Sequence, residues 1–188
     1  MTTTNTTRTS SELPPAGTWR VDPGHAEIGF SGRHLVFTKV RGRFTGVDAT
    51  VVIADDPTQS TVEATIDMAS VTSGDHARDD HLRSSDLFDT QTYPTATFRS
   101  TAITLDGPRG TLTGYLMIRG VTRSVTLAIE YLGSGRDPWD NDRIVFDAFG
   151  RLNREDWGIT WNMVLESGGL LVSKEIDLEL HVELTRQT

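Results

Sequence analysis

The sequence predicts an all-β fold of antiparallel strands, and three observations support this prediction. Apolar and polar residues alternate along most of the chain, which gives each strand one apolar face and one solvated face. Strands of that kind belong to antiparallel sheets. The 17 glycines outnumber the 7 prolines among many threonines and valines, a composition typical of strands joined by turns. Turn residues separate the alternating segments, as in Asp55–Pro57 and Gly133–Gly135.

The elements are predicted in order along the chain. Residues 1–16 are rich in Thr and Ser, show no periodicity and are predicted to be a disordered N-terminal tail. Residues 17–188 are predicted to form one domain, because no later segment resembles a linker or a repeat. The alternating segments predict about eight or more strands. They are Thr18–Asp22, Ala26–Ser31, Val40–Gly46, Thr50–Ala54, Val62–Met68, Thr95–Thr104, Leu112–Ile118, Val125–Tyr131, Ile144–Gly150 and Ile176–Leu184.

These strands leave two architectures open, either two stacked sheets or one sheet closed into a barrel. Several strands span about eight to eleven residues, or roughly 25–35 Å at about 3.3 Å per residue, which favours a long barrel. Gly42, Gly114 and Gly150 lie at positions predicted to face inward. A missing side chain there permits a sharp bend or leaves empty interior space.

Two segments break the alternation and predict one or two short helices. Asp75–Asp89 reads as a helix or helical turns, with Ser73 or Asp75 as the N-cap. Asn153–Trp157 predicts a short helical turn that ends at Gly158. Ser167–Gly169 predicts a flexible loop.

Composition argues against several classes of protein. The formal net charge of -8 argues against a nucleic-acid binder, so no nucleic acid is expected as a partner. The absence of cysteine excludes a disulfide scaffold, thiol catalysis and a cysteine-based zinc site. No apolar run approaches the ~20 residues of a transmembrane segment. Residues 1–8 lack the apolar core of a secretory signal, so we expect a cytoplasmic protein with no periplasmic or secreted role.

The densest polar cluster is Asp75–Arg83, which holds two His, three Asp and two Arg. No metal site is expected, because His76 and His81 are five residues apart and point about 140° apart around a helix. Catalysis is not expected either, because no Gly-x-Ser-x-Gly motif occurs and no nucleophile, base and oxyanion hole can be assembled from the motifs.

The cluster has a structural interpretation and a functional one. In the structural interpretation, Arg78 forms a bidentate pair with a carboxylate and His81 donates to a backbone carbonyl. In the functional interpretation, part of the cluster lines the mouth of a pocket and meets a ligand head group.

The apolar faces also have two interpretations. The large aromatic residues on these faces fit a packed core, because protein interiors are normally filled. They are Phe30, Phe44, Phe98, Phe146 and Trp157. An eight-stranded barrel is also wide enough to hold one small ligand. Alternation alone does not distinguish a filled barrel from a hollow one.

Ordered motifs cover nearly the whole folded part of the chain, from about Gly17 to the C-terminus. They are Trp19–Phe30, Arg33–Leu35, Gly42–Phe44, Ser70–Gly74, Arg78–Ser84, Asp86–Asp89, Tyr93–Phe98, Gly114–Arg123 and Asn153–Ile159. Together they resemble the YceI-like family, also called polyisoprenoid-binding or lipid-binding YceI domains.

The resemblance implies a lipocalin-like antiparallel β-barrel of about eight strands with an elongated apolar tunnel. It implies non-enzymatic binding of a long amphiphilic isoprenoid lipid, such as a polyprenyl quinone or polyprenol, for transport or storage. No catalytic residue, metal or cofactor is implied beyond that bound lipid. A homodimer is compatible with the sequence. The alternatives are a stress-related structural or interaction protein with a filled barrel, and an enzyme that uses Asp79 and His81 as acid and base on an isoprenoid lipid.

The inward-facing side chains are predicted to line the tunnel. They are Ile28, Phe30, Phe44, Ile66, Phe98, Leu116, Ile118, Leu127, Ile129, Phe146, Trp157, Trp161, Leu178 and Leu180. Trp157 and Trp161 are expected to frame an entrance, with indole N–H groups free to form hydrogen bonds. The candidates for binding a polar head group are Arg33, His34, Arg78 and His81.

Overall fold

The computed structural model describes residues 13–35, 37–164 and 171–187. Most of the predicted tail (residues 1–12) and the predicted loop 167–169 lie outside the described residues. Within the described ranges the chain forms ten strands and one α-helix. They are β1 (Gly17–His34), β2 (Thr38–Phe44), β3 (Val47–Ile53), β4 (Thr61–Asp67), β5 (Val71–Thr72), α1 (His76–Arg83), β6 (Thr95–Asp106), β7 (Arg109–Ile118), β8 (Val121–Arg136), β9 (Asp142–Asn153) and β10 (Glu175–Arg186). Short 3₁₀ turns occupy Pro57–Gln59, Met68–Ser70 and Arg154–Trp157.

The strands close into an antiparallel barrel. Adjacent strands pair in the order β10-β9-β8-β7-β6-β4-β3-β1, and β1 pairs with β10 to close the sheet. Gly17–Arg20 of β1 pair with β3, and Ile28–His34 pair with β2. β2 and β3 therefore act as two halves of one long strand, interrupted at residues 45–46. The predicted all-β barrel of about eight strands is confirmed, and two stacked sheets are excluded.

One end of the barrel is filled by side chains, and we call it the closed end. Its buried cluster is Trp19, Val21, Ile53, Tyr131, Ile144 and Leu184. Trp19, Ile144 and Leu184 are at most 1% exposed. The indole N–H of Trp19 donates to the carbonyl of Pro15 at 3.2 Å, which satisfies the polar atom that the ring brings into the cluster.

Helix α1 lies at the opposite end. Its N-cap is Asp75, whose carboxylate accepts a hydrogen bond from the N–H of Arg78 at 2.9 Å. Of the predicted helix or helical turns over Asp75–Asp89, the helix ends at Arg83 and hydrogen-bonded turns follow, with the N–H of Leu87 donating to the carbonyl of Ser84. After Arg83 the chain turns back, and the N–H of Phe88 donates to the carbonyl of Leu82. The turn places the Phe88 ring against the apolar interior, and we infer that this burial outweighs another turn of helix.

The second predicted helical segment is confirmed as a 3₁₀ turn over Arg154–Trp157. The side chain of Asn153 accepts from the N–H of Glu155 and forms its N-cap. Gly158 ends the turn with φ of +73°, a backbone conformation that glycine adopts without strain.

The inward-facing glycines make room for neighbouring side chains. A Cβ atom at Gly42 would overlap the ring of Phe30, and one at Gly114 would overlap the ring of Phe98. At Gly150 it would overlap Leu127. The expectation of empty interior space at these positions is therefore wrong, whereas the expectation of a bend stays a prediction. Each glycine lets a larger side chain lie flat against the barrel wall.

We expect Gly114→Ala to lower the free energy of unfolding by about 1–3 kcal/mol, the usual result of overpacking. The new methyl group would overlap both the Phe98 ring and the backbone carbonyl of Arg99, and the carbonyl cannot move without disturbing the sheet. Urea unfolding measures the effect. Gly135→Ala is the matched control, because no atom lies within 4 Å of a Cβ built there. Equal stability of the two variants would contradict this account.

Candidate functional site

An apolar cavity of about 560 Å³ occupies the barrel interior, a volume typical of small-molecule sites. The barrel is therefore hollow, and the filled-barrel alternative does not describe it. Strand β10 contributes every second residue from Ile176 to Leu184 to the wall. That row extends roughly 26 Å along the strand. At the usual strand tilt of about 40° it corresponds to roughly 20 Å along the barrel axis.

The structure places every residue predicted to line the tunnel on the cavity wall. They are Ile28, Phe30, Phe44, Ile66, Phe98, Leu116, Ile118, Leu127, Ile129, Phe146, Trp157, Trp161, Leu178 and Leu180. This arrangement follows from strand alternation, because residues two apart face the same side of a sheet. Contact of these residues with a bound ligand stays a prediction.

The expected role of Trp157 at an entrance is wrong. Trp157 is only 3% exposed and belongs to the buried core. Its indole N–H donates to the carbonyl of Leu116 at 3.1 Å, so this group is not free. Trp161 is half-buried, and its ring lies 4.4 Å from that of His81 in an edge-on arrangement.

Several wall residues were not predicted. Val62, Leu112, Ile176 and Val182 share the alternating pattern of their strands, so the same signal identifies them. A second group comes from α1 and the turn after it. It comprises Leu82, Leu87 and Phe88. No strand periodicity marks this group, since the course of the turn after α1 determines its position.

The Phe88 ring completes an aromatic cluster on the wall. Its centroid lies 6.1 Å from that of Phe30 and 5.5 Å from that of Phe44. Both pairs meet at steep angles, an arrangement that aromatic rings prefer. The cluster joins the region around α1 to strands β1 and β2.

Solvent reaches the cavity at the end where α1 lies, which we call the mouth. Among the described wall residues, the exposed ones are Arg33, Arg41, Ala77 and Arg78, and all of them lie at this end. The opposite end is the closed end described above. Within the described part of the chain an elongated ligand therefore has one way in, and its outer portion meets cationic side chains.

The predicted head-group residues all border the mouth, but two of their expected contacts are wrong. Arg78 Nη2 lies 4.0 Å from an oxygen of Asp75, so the expected bidentate pair does not form. His81 Nε2 lies 3.2 Å from Asp86 Oδ2 and not against a backbone carbonyl.

The other two predicted head-group residues, Arg33 and His34, lie at the end of β1. The backbone N–H of Arg33 donates to Ser173 Oγ at 2.9 Å, and the residue is exposed at the mouth. His34 forms a β-bridge with Val172 and is half-buried. Binding of a head group by Arg33, His34, Arg78 and His81 stays a prediction.

Asp79 holds α1 against β5. Its carboxylate accepts hydrogen bonds from the N–H and the hydroxyl of Ser73, both at 2.6 Å, and from the hydroxyl of Thr72 at 2.9 Å. The hydrogen bond from the Ser73 hydroxyl is the main reason that the pKa of Asp79 lies below its usual value. A carboxylate engaged in this way is a weak base. It is also not among the wall residues, so the hypothetical acid–base pair of Asp79 and His81 is not assembled in the cavity.

Arg154 is a wall residue whose environment the sequence did not reveal. It is only 5% exposed, and its guanidinium donates to the carbonyls of Ser173 at 3.0 Å and Ile159 at 2.8 Å. Burial lowers its pKa. Within the described part of the chain its Nη2 has no hydrogen-bond partner, and no carboxylate lies within 4.0 Å. A buried cation with an unused donor favours an oxygen acceptor nearby.

At the closed end, Arg143 is the centre of an ion-pair network. It donates to Asp22, to Glu183 at 2.6 Å and to Asp137 at 2.7 Å. Three side chains here could each provide one ligand atom to a metal ion, namely Asp22, His25 and Glu183. These ligand atoms lie within 4.8 Å of one another. Because the same Nη1 already contacts Asp22 and Glu183, we interpret the group as a structural network.

This network predicts how stability depends on acidity. The hydrogen bond from Arg143 lowers the pKa of Asp22 to about 2, whereas an unfolded aspartate titrates near 3.9. The stability that Asp22 contributes is therefore present above about pH 4 and lost as the pH falls through about 2. We expect the free energy of unfolding to fall over this window, and to fall less in Arg143→Met. Urea unfolding at several pH values measures the slope.

The control for this prediction is Arg99→Met, which removes an exposed ion pair with Glu63. Exposed pairs contribute little, so its pH profile should match that of the wild-type protein. An Arg143→Met profile that parallels both would show that the network does not produce the pH dependence.

Comparison with known proteins identifies a matching family and related sequences. A family model for the YceI-like domain matches residues 19–184. Protein YceI of Escherichia coli O157:H7 is 36% identical over 164 residues, which cover 87% of this chain and 83% of that protein.

No helix within the described residues is long and apolar enough to cross a membrane.

Solved structures share the fold. Burkholderia cenocepacia BcnA superposes with a TM-score of 0.75 at 25% identity, covering 87% of this chain and 98% of that one. A domain from Saccharophagus degradans, described as a polyisoprenoid binding domain implicated in plant cell wall breakdown, superposes with a TM-score of 0.64. Its identity is 15%, with 92% of this chain and 100% of that one covered, so this likeness concerns the fold alone.

Proposed function

Because the chain belongs to the YceI-like domain family, as the resemblance of its motifs predicted, we propose that it binds a long amphiphilic isoprenoid lipid. A polyprenyl quinone or a polyprenol is the expected ligand, and the protein acts as a carrier or store without catalysis. The observation that carries this proposal is the apolar cavity of about 560 Å³ inside the barrel. The domain from Saccharophagus degradans with this fold is described as polyisoprenoid binding, which is the class of ligand proposed here.

The chemistry of the cavity favours an apolar chain over a polar metabolite. Each CH₂ group moved from water into such a wall gains about 0.8 kcal/mol, so a long tail accumulates affinity along the tunnel. The row from Ile176 to Leu184 presents apolar side chains throughout. A sugar or nucleotide in the same place would lose its hydrogen bonds to water without replacement.

The mouth supplies the polar end of the site. Arg33, His34, Arg78 and His81 border it, and Arg154 lies deeper with an unused donor. The guanidinium groups of Arg33, Arg78 and Arg154 only donate hydrogen bonds, and each imidazole can donate from one ring nitrogen, so the head group we propose presents oxygen acceptors. A quinone carbonyl and an alcohol oxygen both meet that requirement.

Native mass spectrometry of the purified protein, followed by solvent extraction and lipid identification, tests the proposal. We expect a mass adduct that extracts as a prenylated lipid. Protein purified without its lipid should take up an added polyprenyl quinone or polyprenol at about one molecule per chain. A bare mass together with no uptake of either compound would contradict the proposal.

The location and assembly expected from the sequence stay predictions. We propose a cytoplasmic location, which fractionation of the source cells with antibody detection would test. A homodimer is a second such prediction, and light scattering during size-exclusion chromatography measures it. Neither alters the argument for the cavity, since its wall is built within one chain.

A further inference from the structure

Four large apolar side chains are exposed beside the mouth. Phe37 is 86% exposed and Val164 is 81% exposed, and Leu35 and Met163 are about half exposed. We call these four residues the mouth patch. Such exposure of neighbouring large apolar residues is unusual on a monomer and marks a surface for another protein or for a membrane.

Backbone hydrogen bonds tie the two parts of the mouth patch together. The N–H of Leu35 donates to the carbonyl of Leu171 at 3.0 Å, and the N–H of Leu171 donates to the carbonyl of Met163 at 2.9 Å. Leu171 and its neighbour Val172 line the cavity. The patch is therefore continuous with the apolar wall of the tunnel.

Positive charge lies next to the mouth patch although the whole chain carries a net charge of -8. Arg33 and Arg41 are exposed wall residues, and no carboxylate of the described residues lies within 4.0 Å of either guanidinium. Residues 32–43 contain no Asp or Glu. This excess of positive charge favours an anionic surface as the partner.

Helix α1, which also borders the mouth, carries nearly balanced charge. Arg78 lies 4.0 Å from Asp75, and Arg83 lies 3.3 Å from Asp80. The cations without a carboxylate nearby, Arg33 and Arg41, thus lie in β1 and β2, the two strands that flank Phe37.

We propose that the mouth patch docks on the surface of an anionic lipid bilayer, so that lipid passes between bilayer and cavity without crossing water. The inference rests on the proposed function, because it assigns a route to the lipid of that same cavity. Proteins bind membrane surfaces through apolar side chains that enter the interfacial region of the bilayer. Arg residues beside those side chains contact the anionic head groups. The continuity of the patch with the tunnel favours a bilayer over a protein partner.

Vesicle flotation tests the docking. The full chain is mixed with vesicles of phosphatidylcholine, with or without phosphatidylglycerol. We expect binding to the vesicles that contain phosphatidylglycerol and a loss of binding as salt is added. The double variant Phe37→Asp/Val164→Asp should reduce the bound fraction about tenfold. Trp139→Asp is the matched control, because this ring is 79% exposed but lies in the β8–β9 turn at the closed end. Its binding should equal that of the wild-type protein.

A second measurement separates docking from lipid binding. The same proteins receive a polyprenyl quinone from a cyclodextrin solution, and the amount bound is determined after extraction. We expect the double variant to bind the wild-type amount from solution and to load more slowly from vesicles. Phe37→Ser, a milder change at a solvent-exposed position, provides the same comparison if the double variant is unstable.

Three results would overturn the docking proposal. In the first, the wild-type protein takes up quinone from solution but does not float with vesicles. This result would leave the proposed function intact. Another is equal flotation of the wild-type protein and the mouth-patch variant. The last is failure of the wild-type protein both to float and to take up quinone, which overturns the proposed function as well.

Discussion

Leu180→Trp is expected to reduce the lipid content of the purified protein about tenfold or more. Leu180 lies halfway along the row that β10 contributes to the cavity wall, with Ile28 and Ala148 as its cross-strand neighbours. An indole there would occupy the middle of the tunnel. Displacing even two CH₂ groups of a bound tail loses about 1.6 kcal/mol, which is more than tenfold in affinity. Extraction and quantification of lipid per chain measure the effect.

Glu179→Trp is the matched control for this substitution. It adds the same side chain one residue earlier, on the exposed face of β10. Its carboxylate lies 3.0 Å from Lys39 Nζ, and this ion pair is exposed. We expect lipid content to stay at the wild-type level. Equal lipid content in Leu180→Trp and Glu179→Trp would mean that the lipid does not lie in the tunnel.

Arg154→Met is expected to lower the free energy of unfolding by roughly 3 kcal/mol, because two buried carbonyls lose a charged donor. Those carbonyls belong to Ser173 and Ile159, at the end of the barrel that carries the mouth. Methionine fills much of the same volume but donates no hydrogen bond. Urea unfolding in the absence of lipid measures the change.

The control is Arg151→Met, three residues earlier in the chain. Arg151 is exposed, and its Nε lies 2.7 Å from Asp177 Oδ1. Because water competes for exposed ion pairs, we expect little change in stability. Equal stability of the two variants would show that the buried guanidinium of Arg154 is not structural.

The fold was predictable because strand alternation is a local property of the sequence. Leu178 and Leu180 face the cavity for the same reason that Glu179 faces solvent, and no knowledge of distant residues is needed. Closure of the sheet was not predictable from the pattern alone, because it depends on the pairing of β1 with β10. The family resemblance supplied that step.

Residues placed by tertiary contacts could not be predicted in the same way. Phe88 reaches the aromatic cluster only because the chain turns back after α1, and its sequence neighbours suggested a helix or helical turns without showing that reversal. Trp157 was expected at the entrance, but its indole N–H donates to the carbonyl of Leu116 in strand β7, which is distant in sequence. The motif around Arg154 predicted a helical turn correctly, yet the burial of its guanidinium depends on the distant Ser173.

The closed end has a kinetic consequence for any ligand of the tunnel. Trp19, Ile144 and Leu184 fill that end, so the residues that the structure describes leave an incoming molecule no second route by which to push the resident one out. Exchange is then sequential, and the resident molecule departs before its replacement enters. Once the competing lipid is in excess, the replacement rate therefore equals the release rate and does not rise further with the concentration of that lipid.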